Sequence, residues 1–428
     1  MRDSDAETRA LISRRSQTLG PAYRLFYDRP VQFVRGEGVH LYDTDGKSYL
    51  DAYNNVPSVG HSHPAVVAAI SQQAATLNTH TRYPAAPILD YAERLLATHS
   101  IGLENMMFTC TGSEAIDLAL RIVKFNTGKA GIVVTANAYH GVTAACAGIS
   151  PSLGTNSPLD PGVRVVSFPD PPIGDSRQET ETFVASVSEA ISDLERSGHG
   201  FAGFVADSVF SSDGLRPDPV GLLSAVSKLV RASGGLYVAD EVQAGFGRTG
   251  DSMWGYERHG FEPDVAVMGK PMGNGMPIAG IAVRADLLRK FGPDIRYFNT
   301  FGGNSVCVAA ASAVLDVLED EDLKDNSRMV GRYLRDGLRE QSKGFPFLGD
   351  VRGVGLFVAV DVVDPIDGRT ADPARASRIV NGLMSRRILI GASGLAANTL
   401  KIRPPLPFSR ENADQFINEF TDLCQALS

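Results

Sequence analysis

Phe204-Val205-Ala206-Asp207, Leu236-Tyr237-Val238-Ala239-Asp240 and Val265-Ala266-Val267-Met268-Gly269-Lys270 are three apolar runs, each closed by an ionisable residue. Short apolar runs rich in β-branched residues read as strands buried on both faces. Around them, from Pro64 to Ile295, helical and strand-like segments alternate. The periodicity predicts helices over 64–77, 87–99, 113–126, 180–197 and 219–233, and strands over 131–135, 163–168, 203–207, 236–240, 264–268 and 280–283. That alternation predicts an α/β fold whose mostly parallel sheet is covered by helices on both faces. Parallel strands present their carboxyl ends on one edge, where open α/β sheets bind ligands. Asp207, Asp240 and Lys270 then converge on one crevice. A single charged strand end is ordinarily a side chain reaching solvent; three on one edge point to a site.

The flanks differ in style. Residues 1–20 form a polar, partly helical arm, and 31–51 alternate like strands around a turn at Asp43-Thr44-Asp45-Gly46. The Pro-, Gly-, Ser- and Asp-rich segment 151–179 includes a long surface loop. Residues 304–342 read as long helices, Val351–Val363, Ile388–Ile390 and Leu400–Ile402 as short strands, and 409–427 as an amphipathic helix. The expected division is a large domain at 61–325 and a smaller α/β domain at 326–428. An arm and the first strands, 1–60, join the smaller domain.

Composition narrows the function. A chain of 428 residues with net charge −8 and no basic run does not look like a nucleic-acid binder. No apolar stretch is long enough to span a bilayer, and the first residues lack the apolar core of a secretion signal, so a cytoplasmic protein is expected. Cys110, Cys146, Cys307 and Cys424 are far apart without zinc spacing, and His61-Ser62-His63-Pro64 reads as a turn before a helix, so no metal is expected.

The chemistry follows from residue types. A lysine among apolar neighbours has a lowered pKa and becomes a nucleophile toward an aldehyde. An aspartate facing a pyridine nitrogen keeps that ring cationic, an electron sink. Thr109-Cys110-Thr111-Gly112-Ser113-Glu114 precedes a helix with Ile116, Leu120 and Val123 on one face. Its free backbone N–H groups suit a phosphate, a reading compatible with simple N-capping. Tyr139-His140-Gly141 offers an aromatic ring that either stacks on a planar ligand or serves the core. Gly245-Phe246-Gly247-Arg248-Thr249-Gly250 matches a dinucleotide signature but opens no periodic helix, so nicotinamide binding is not expected. Leu400-Lys401-Ile402-Arg403 puts Lys401 and Arg403 on one face of a strand. Arg403 and Arg82 are candidate contacts for a substrate anion.

Taken together, Thr111–Ala115, Tyr139–Gly141, Asp240–Gly250, Met268–Lys270, Thr300–Asn304 and Gly353–Leu356 resemble class-III aminotransferases, in the family's order, from about residue 25 to the C-terminus. Phe26-Tyr27, Asn54–Val56, Leu77–Thr79, Gly269–Gly275, Tyr297–Thr300 and Gly349–Phe357 are more narrowly similar to ethanolamine-phosphate phospho-lyases, which share that fold. The resemblance implies a fold type I enzyme dependent on pyridoxal 5′-phosphate (PLP). Lys270 would carry the cofactor as a Schiff base and move protons, and Asp240 would pair with the ring nitrogen. Tyr139 and Val242 would lie on the ring's two faces, with Gln243 near its hydroxyl. Thr111, Gly112 and Ser113 would hold the phosphate, reached also by Thr300 of a neighbouring subunit. His140 and Asp207 complete the implied cofactor contacts; Arg403, Arg82 and Tyr53 are the implied substrate contacts. A homodimer or larger assembly with shared sites follows, acting on a small, phosphorylated amine. The implied reaction is elimination of phosphate from an amino-alkyl phosphate such as phosphoethanolamine; the alternative is amino transfer from an ω- or α-amino acid to a keto acid. The chain departs from the family at Asp207-Ser208, where Glu precedes Pro or Ser, at Ile116, where Asn is common, and at Met276, where phospho-lyases have His.

Overall fold

The computed structural model describes residues 4–99, 102–169 and 174–428. After a helix at Ser4–Leu19, strands β1 (Phe33–Glu37), β2 (His40–Asp43) and β3 (Ser48–Asp51) form an antiparallel meander. Its β2–β3 turn is the one expected at 43–46. Asp43 Oδ1 accepts the N–H of Asp45 at 3.0 Å and of Lys47 at 2.9 Å, the local bonding that favours Asp at a turn.

Seven strands make the central sheet: β4 (Asn105–Thr109), β5 (Gly131–Thr135), β6 (Val163–Val166), β7 (Phe201–Asp207), β8 (Leu236–Asp240), β9 (Val265–Met268) and β10 (Ala279–Val283). Their spatial order is β4-β10-β9-β8-β7-β5-β6. β5 to β9 are parallel, whereas β10 runs antiparallel to both β9 and β4. β4 was not expected. Its Asn-Met-Met-Phe-Thr has no β-branched residue before its last position, and pairing with β10 supplies what propensity does not. Within 151–179 the described residues hold a 3-10 turn, the expected strand β6 and the start of helix Ser176–Arg196, which begins four residues before the expected 180.

The alternation of side chains divides the interior into two layers. Ile132, Val134, Val238, Val265, Val267 and Ile281 face helix Gly112–Thr127 through Ile116, Leu120 and Val123. Val133, Phe204, Tyr237, Ala239, Ala266 and Met268 face the opposite layer, with helices Ser176–Arg196, Leu222–Ala232 and Ser305–Asp320. Each fully buried Val or Leu contributes about 1.5–3 kcal/mol relative to exposure, and both faces of β8 are buried in this way.

The remaining strands are β11 (Leu348–Val354), β12 (Phe357–Val362), β13 (Ile388–Leu389), β14 (Gly391–Ser393) and β15 (Thr399–Ile402). β11, β12, β15 and β14 form an antiparallel sheet in that order. β13 instead lies parallel to β3, pairing Ile388 with Leu50. Helix Arg410–Leu427, opened by a Ser409–Asn412 capping box, packs on helices Leu323–Ser342 and Pro373–Ser385.

Candidate active site

Parallel pairing places Asp207 directly beside Asp240, and Asp240 beside Val267, so the chain after Met268 delivers Lys270 to the same edge. There a cavity of about 330 Å³ is lined by Asp207, Asp240, Lys270, Gln243, Tyr139 and His140, together with the turn Thr111–Ser113, Val242 and an apolar rim of Val56, Met276 and Ile278. The three charged strand ends therefore meet, as the parallel reading requires.

Asp240 is buried and its orientation is fixed. Oδ1 accepts the N–H of Val242 at 3.1 Å, and Oδ2 accepts from His140 Nδ1 at 2.7 Å. A carboxylate only accepts, so Nδ1 carries the proton and Nε2 is left as a buried atom without a partner among the described residues. Lys270 has no hydrogen-bond or ion-pair partner among the described residues. Burial lowers its pKa, the charge of Arg403 lowers it further, and Asp240 and Asp207 oppose the shift.

The turn before helix Gly112–Thr127 is a capping box. Thr111 Oγ1 accepts the N–H of Glu114, while Glu114 Oε2 accepts those of Cys110 and Thr111 at 2.8 and 3.0 Å. The N–H groups of Gly112 and Ser113 have no protein acceptor among the described residues, and both residues line the cavity. Two glycines keep this corner open. A Cβ on Gly112 would lie 3.2 Å from Val242, and one on Gly141 (φ +131°) would lie 2.3 Å from Ser113 Oγ.

At the other end of the cavity Gln243 is held on both sides. Its Oε1 accepts from Arg403 Nη1 and, at 3.3 Å, from Lys401 Nζ. Its Nε2 donates to Ser211 Oγ at 2.5 Å. Lys401 and Arg403 project from β15 on one face, as their spacing predicts, while Leu400 and Ile402 enter the core. Both cations are buried. Burial pushes the Lys401 pKa well down, with Arg403 as the next cause, and burial lowers Arg403 too. Asp207 is raised by burial and then by Asp240. Its carboxylate is taken by the Val209 N–H at 2.9 Å and by the Ser211 hydroxyl and N–H.

Four of the expected site residues, Arg403, Arg82, Tyr53 and Thr300 (the last expected to act from a neighbouring subunit), do not line this cavity themselves. Arg82 stacks 3.7 Å over the Phe298 ring beside a second cavity of about 640 Å³, away from Lys270. Thr300 is exposed and does not line the site. Tyr53 meets it only through Arg403, whose Nε and Nη2 donate to the Tyr53 carbonyl at 3.3 Å. Lys401 emerged from strand periodicity alone, but Ser211, inside a polar turn, carried no signal in the sequence. His63 caps helix Pro64–Thr76 and His61 pairs with Asp51 at 2.7 Å, so the two histidines serve the backbone and an acid. The glycine-rich stretch 245–250 is a buried loop whose Arg248 donates to Leu356 O and Pro404 O, tying it to the chain around β12 and β15.

The aminotransferase class-III family profile matches residues 26–424. The chain belongs to the class-III aminotransferases. Among curated relatives of this family, an ethanolamine-phosphate phospho-lyase homologue of Caenorhabditis elegans is 37% identical over 98% of this chain and 93% of its own. An alanine–glyoxylate aminotransferase 2-like protein of Drosophila melanogaster is 35% identical over 97% and 87%. The solved structure of an Arthrobacter phospholyase in complex with phosphoethanolamine superposes with a TM-score of 0.95, at 42% identity, covering 98% of this chain and all of that one.

Class-III aminotransferases are fold type I, PLP-dependent enzymes. The residues present fit that cofactor. A free amine, a buried and oriented carboxylate, and a glycine corner with two uncommitted N–H groups line one cavity. No described helix is long and apolar enough to cross a membrane, and no cluster of metal ligands occurs among the described residues.

Proposed function

We propose that the enzyme eliminates phosphate from a small amino-alkyl phosphate such as phosphoethanolamine. The observation that carries this reading is the pair Lys401 and Arg403, two buried cations whose one side-chain acceptor is the neutral oxygen of Gln243. Asp207 opposes the burial of both charges but makes no ion pair with either, and a substrate oxyanion would offset that cost. The likeness to the Arthrobacter phospholyase supports the same reading.

In this reading Thr111, Gly112 and Ser113 hold the cofactor phosphate, Tyr139 and Val242 flank its ring, and Gln243 meets the ring hydroxyl. PLP, when bound, supplies a cationic ring that takes up the electrons released as the carbon bearing nitrogen loses its proton. Asp240, oriented by His140, keeps a negative charge at the ring-nitrogen side. Lys270 Nζ, whose pKa burial lowers, is placed to take that proton. Lys401 and Arg403 grip the substrate phosphate and fix the neighbouring C–O bond. That bond breaks, phosphate departs with the bonding pair, and water converts the two-carbon remainder to acetaldehyde and ammonia.

The same cations also fit a carboxylate, and the Drosophila relative is named an aminotransferase. Amino transfer is therefore the second reading. Holoenzyme given phosphoethanolamine and no keto acid should release equal amounts of inorganic phosphate and acetaldehyde. Amino transfer to pyruvate without phosphate release would replace the lyase by the transaminase.

We also infer a homodimer or larger assembly. Tyr83, Leu89, Phe298 and Phe301 are exposed apolar side chains, and Leu89 and Phe298 line the second cavity. Covering this surface with another subunit would place Thr300 and Arg82 in an interface.

A further inference from the structure

Gln243 both lines the cavity and accepts from the two buried cations, so what fixes it matters. Its amide orientation follows from its partners. The oxygen faces Arg403 and Lys401, and the nitrogen faces Ser211 Oγ. The second hydrogen on Nε2 has no protein acceptor among the described residues. Asp207, at the end of β7, makes no hydrogen bond to Gln243 itself.

Ser211 spans the space between them. Its hydroxyl has one hydrogen, which goes to Asp207 Oδ2, so its lone pairs are free to accept from Gln243 Nε2. Its N–H donates to the same Asp207 oxygen at 3.2 Å, and its carbonyl accepts from Lys401 Nζ at 3.3 Å. Fully buried, Ser211 thus contacts the acid of β7, the amide beyond β8 and the ammonium of β15, without lining the cavity. The loop is folded back for this purpose. Phe210 N–H returns to Asp207 O at 3.0 Å, and Phe210 sits at φ +49°.

We propose that Ser211 is the positioning residue for Gln243, its hydroxyl bridging a carboxylate too short to reach the carboxamide. This rests on the reading that Gln243 faces the cofactor ring, but not on which reaction follows. Without the bridge, Nε2 loses its fixed acceptor and the amide is free to turn. The arrangement also gives Gln243 an anchor that stays when a substrate anion draws Arg403 and Lys401 toward itself.

The test is titration of apoenzyme with PLP, followed by fluorescence quenching and by the absorption band of the bound cofactor. Ser211→Ala should weaken cofactor binding about tenfold, the worth of one hydrogen bond in a charged network, and displace the band. Gln243→Ala should do the same, and the double variant should lose no more than the worse single one. Asp207→Glu in the Ser211→Ala background lengthens the acid by one methylene into the space vacated and should recover most of the affinity and the original band. Full additivity of Ser211→Ala and Gln243→Ala overturns the proposal. So does an unchanged dissociation constant and band in Ser211→Ala, or a lowered melting temperature with the band unmoved. Should Ser211→Ala not fold, Ser211→Cys keeps the volume but offers only a weak donor, and the same shifts in smaller measure decide the matter. A wild-type holoenzyme that binds PLP but releases no phosphate removes the lyase reading and leaves this one standing.

Discussion

Asp240, at the end of β8, has each carboxylate oxygen engaged from within the chain, by His140 and by the Val242 N–H. Lys401 and Arg403, on β15, share one neutral oxygen. The two ends of one crevice thus differ in how complete they are. At the cofactor end the acid, the capping box and the glycine corner are set by local bonds. At the proposed substrate end Lys401 and Arg403 lie buried together, burial lowers the pKa of both, and the charge of Asp207 opposes that shift. The difference teaches that the chain buries two cations around β15 with little to compensate them, a cost that, on the proposed reading, an incoming anion would relieve.

The sharpest way to break the comparison is at its centre. Lys270→Ala should cut phosphate release at least about a thousandfold, because Lys270 is the one lysine among the described residues lining the cavity, while the apoenzyme stays folded. Retained turnover would detach the cofactor end from catalysis. Next, Arg403→Gln should raise KM for a phosphorylated amine about 10- to 100-fold, the range for a lost charged hydrogen bond, with little change in kcat. It also removes a cause of the low Lys270 pKa. That pKa should climb toward the ordinary 10.5, so cofactor uptake by apoenzyme, which needs the neutral amine, should require higher pH. An equal loss in kcat, or an unmoved pH profile, would place Arg403 outside the substrate end.

The smallest expected effect sharpens the comparison most. Lys401→Met should stabilise the fold by about 1 kcal/mol while weakening substrate binding, because it removes a buried cation beside another. The folded-state pKa of Lys401 is depressed, so the unfolded chain binds more protons between that pKa and 10.5, and wild-type stability falls as pH drops through that window. The gain from Lys401→Met should accordingly vanish above 10.5 and grow below it. Denaturant midpoints at several pH values check this; a destabilised Lys401→Met would mean the ammonium is already well compensated.

What was legible in the sequence follows the same division. The ends of β7, β8 and β9 could be read because parallel strands carry their last residues to one edge whatever the loops do. Lys401 and Arg403 could be placed on one face because a strand's period is two. The position of β4 could not, since Asn105–Thr109 owes its strand to β10 across about 170 residues. Nor could Ser211, one serine among several in Ser208-Val209-Phe210-Ser211-Ser212, whose partners come from the end of β7, the loop after β8 and β15. Arg82 could be read only as a candidate anion contact; within one chain its guanidinium lies over the Phe298 ring.

The pairing of β3 with β13 has a consequence for biosynthesis. Leu50 leaves the ribosome about 340 residues before Ile388, the strand partner it needs. At roughly 5–20 residues per second that is about 20–70 s in which the rim of the meander stays open to any passing strand. The nascent chain must therefore survive its own synthesis with that hem unstitched, and the last part of the message closes the first.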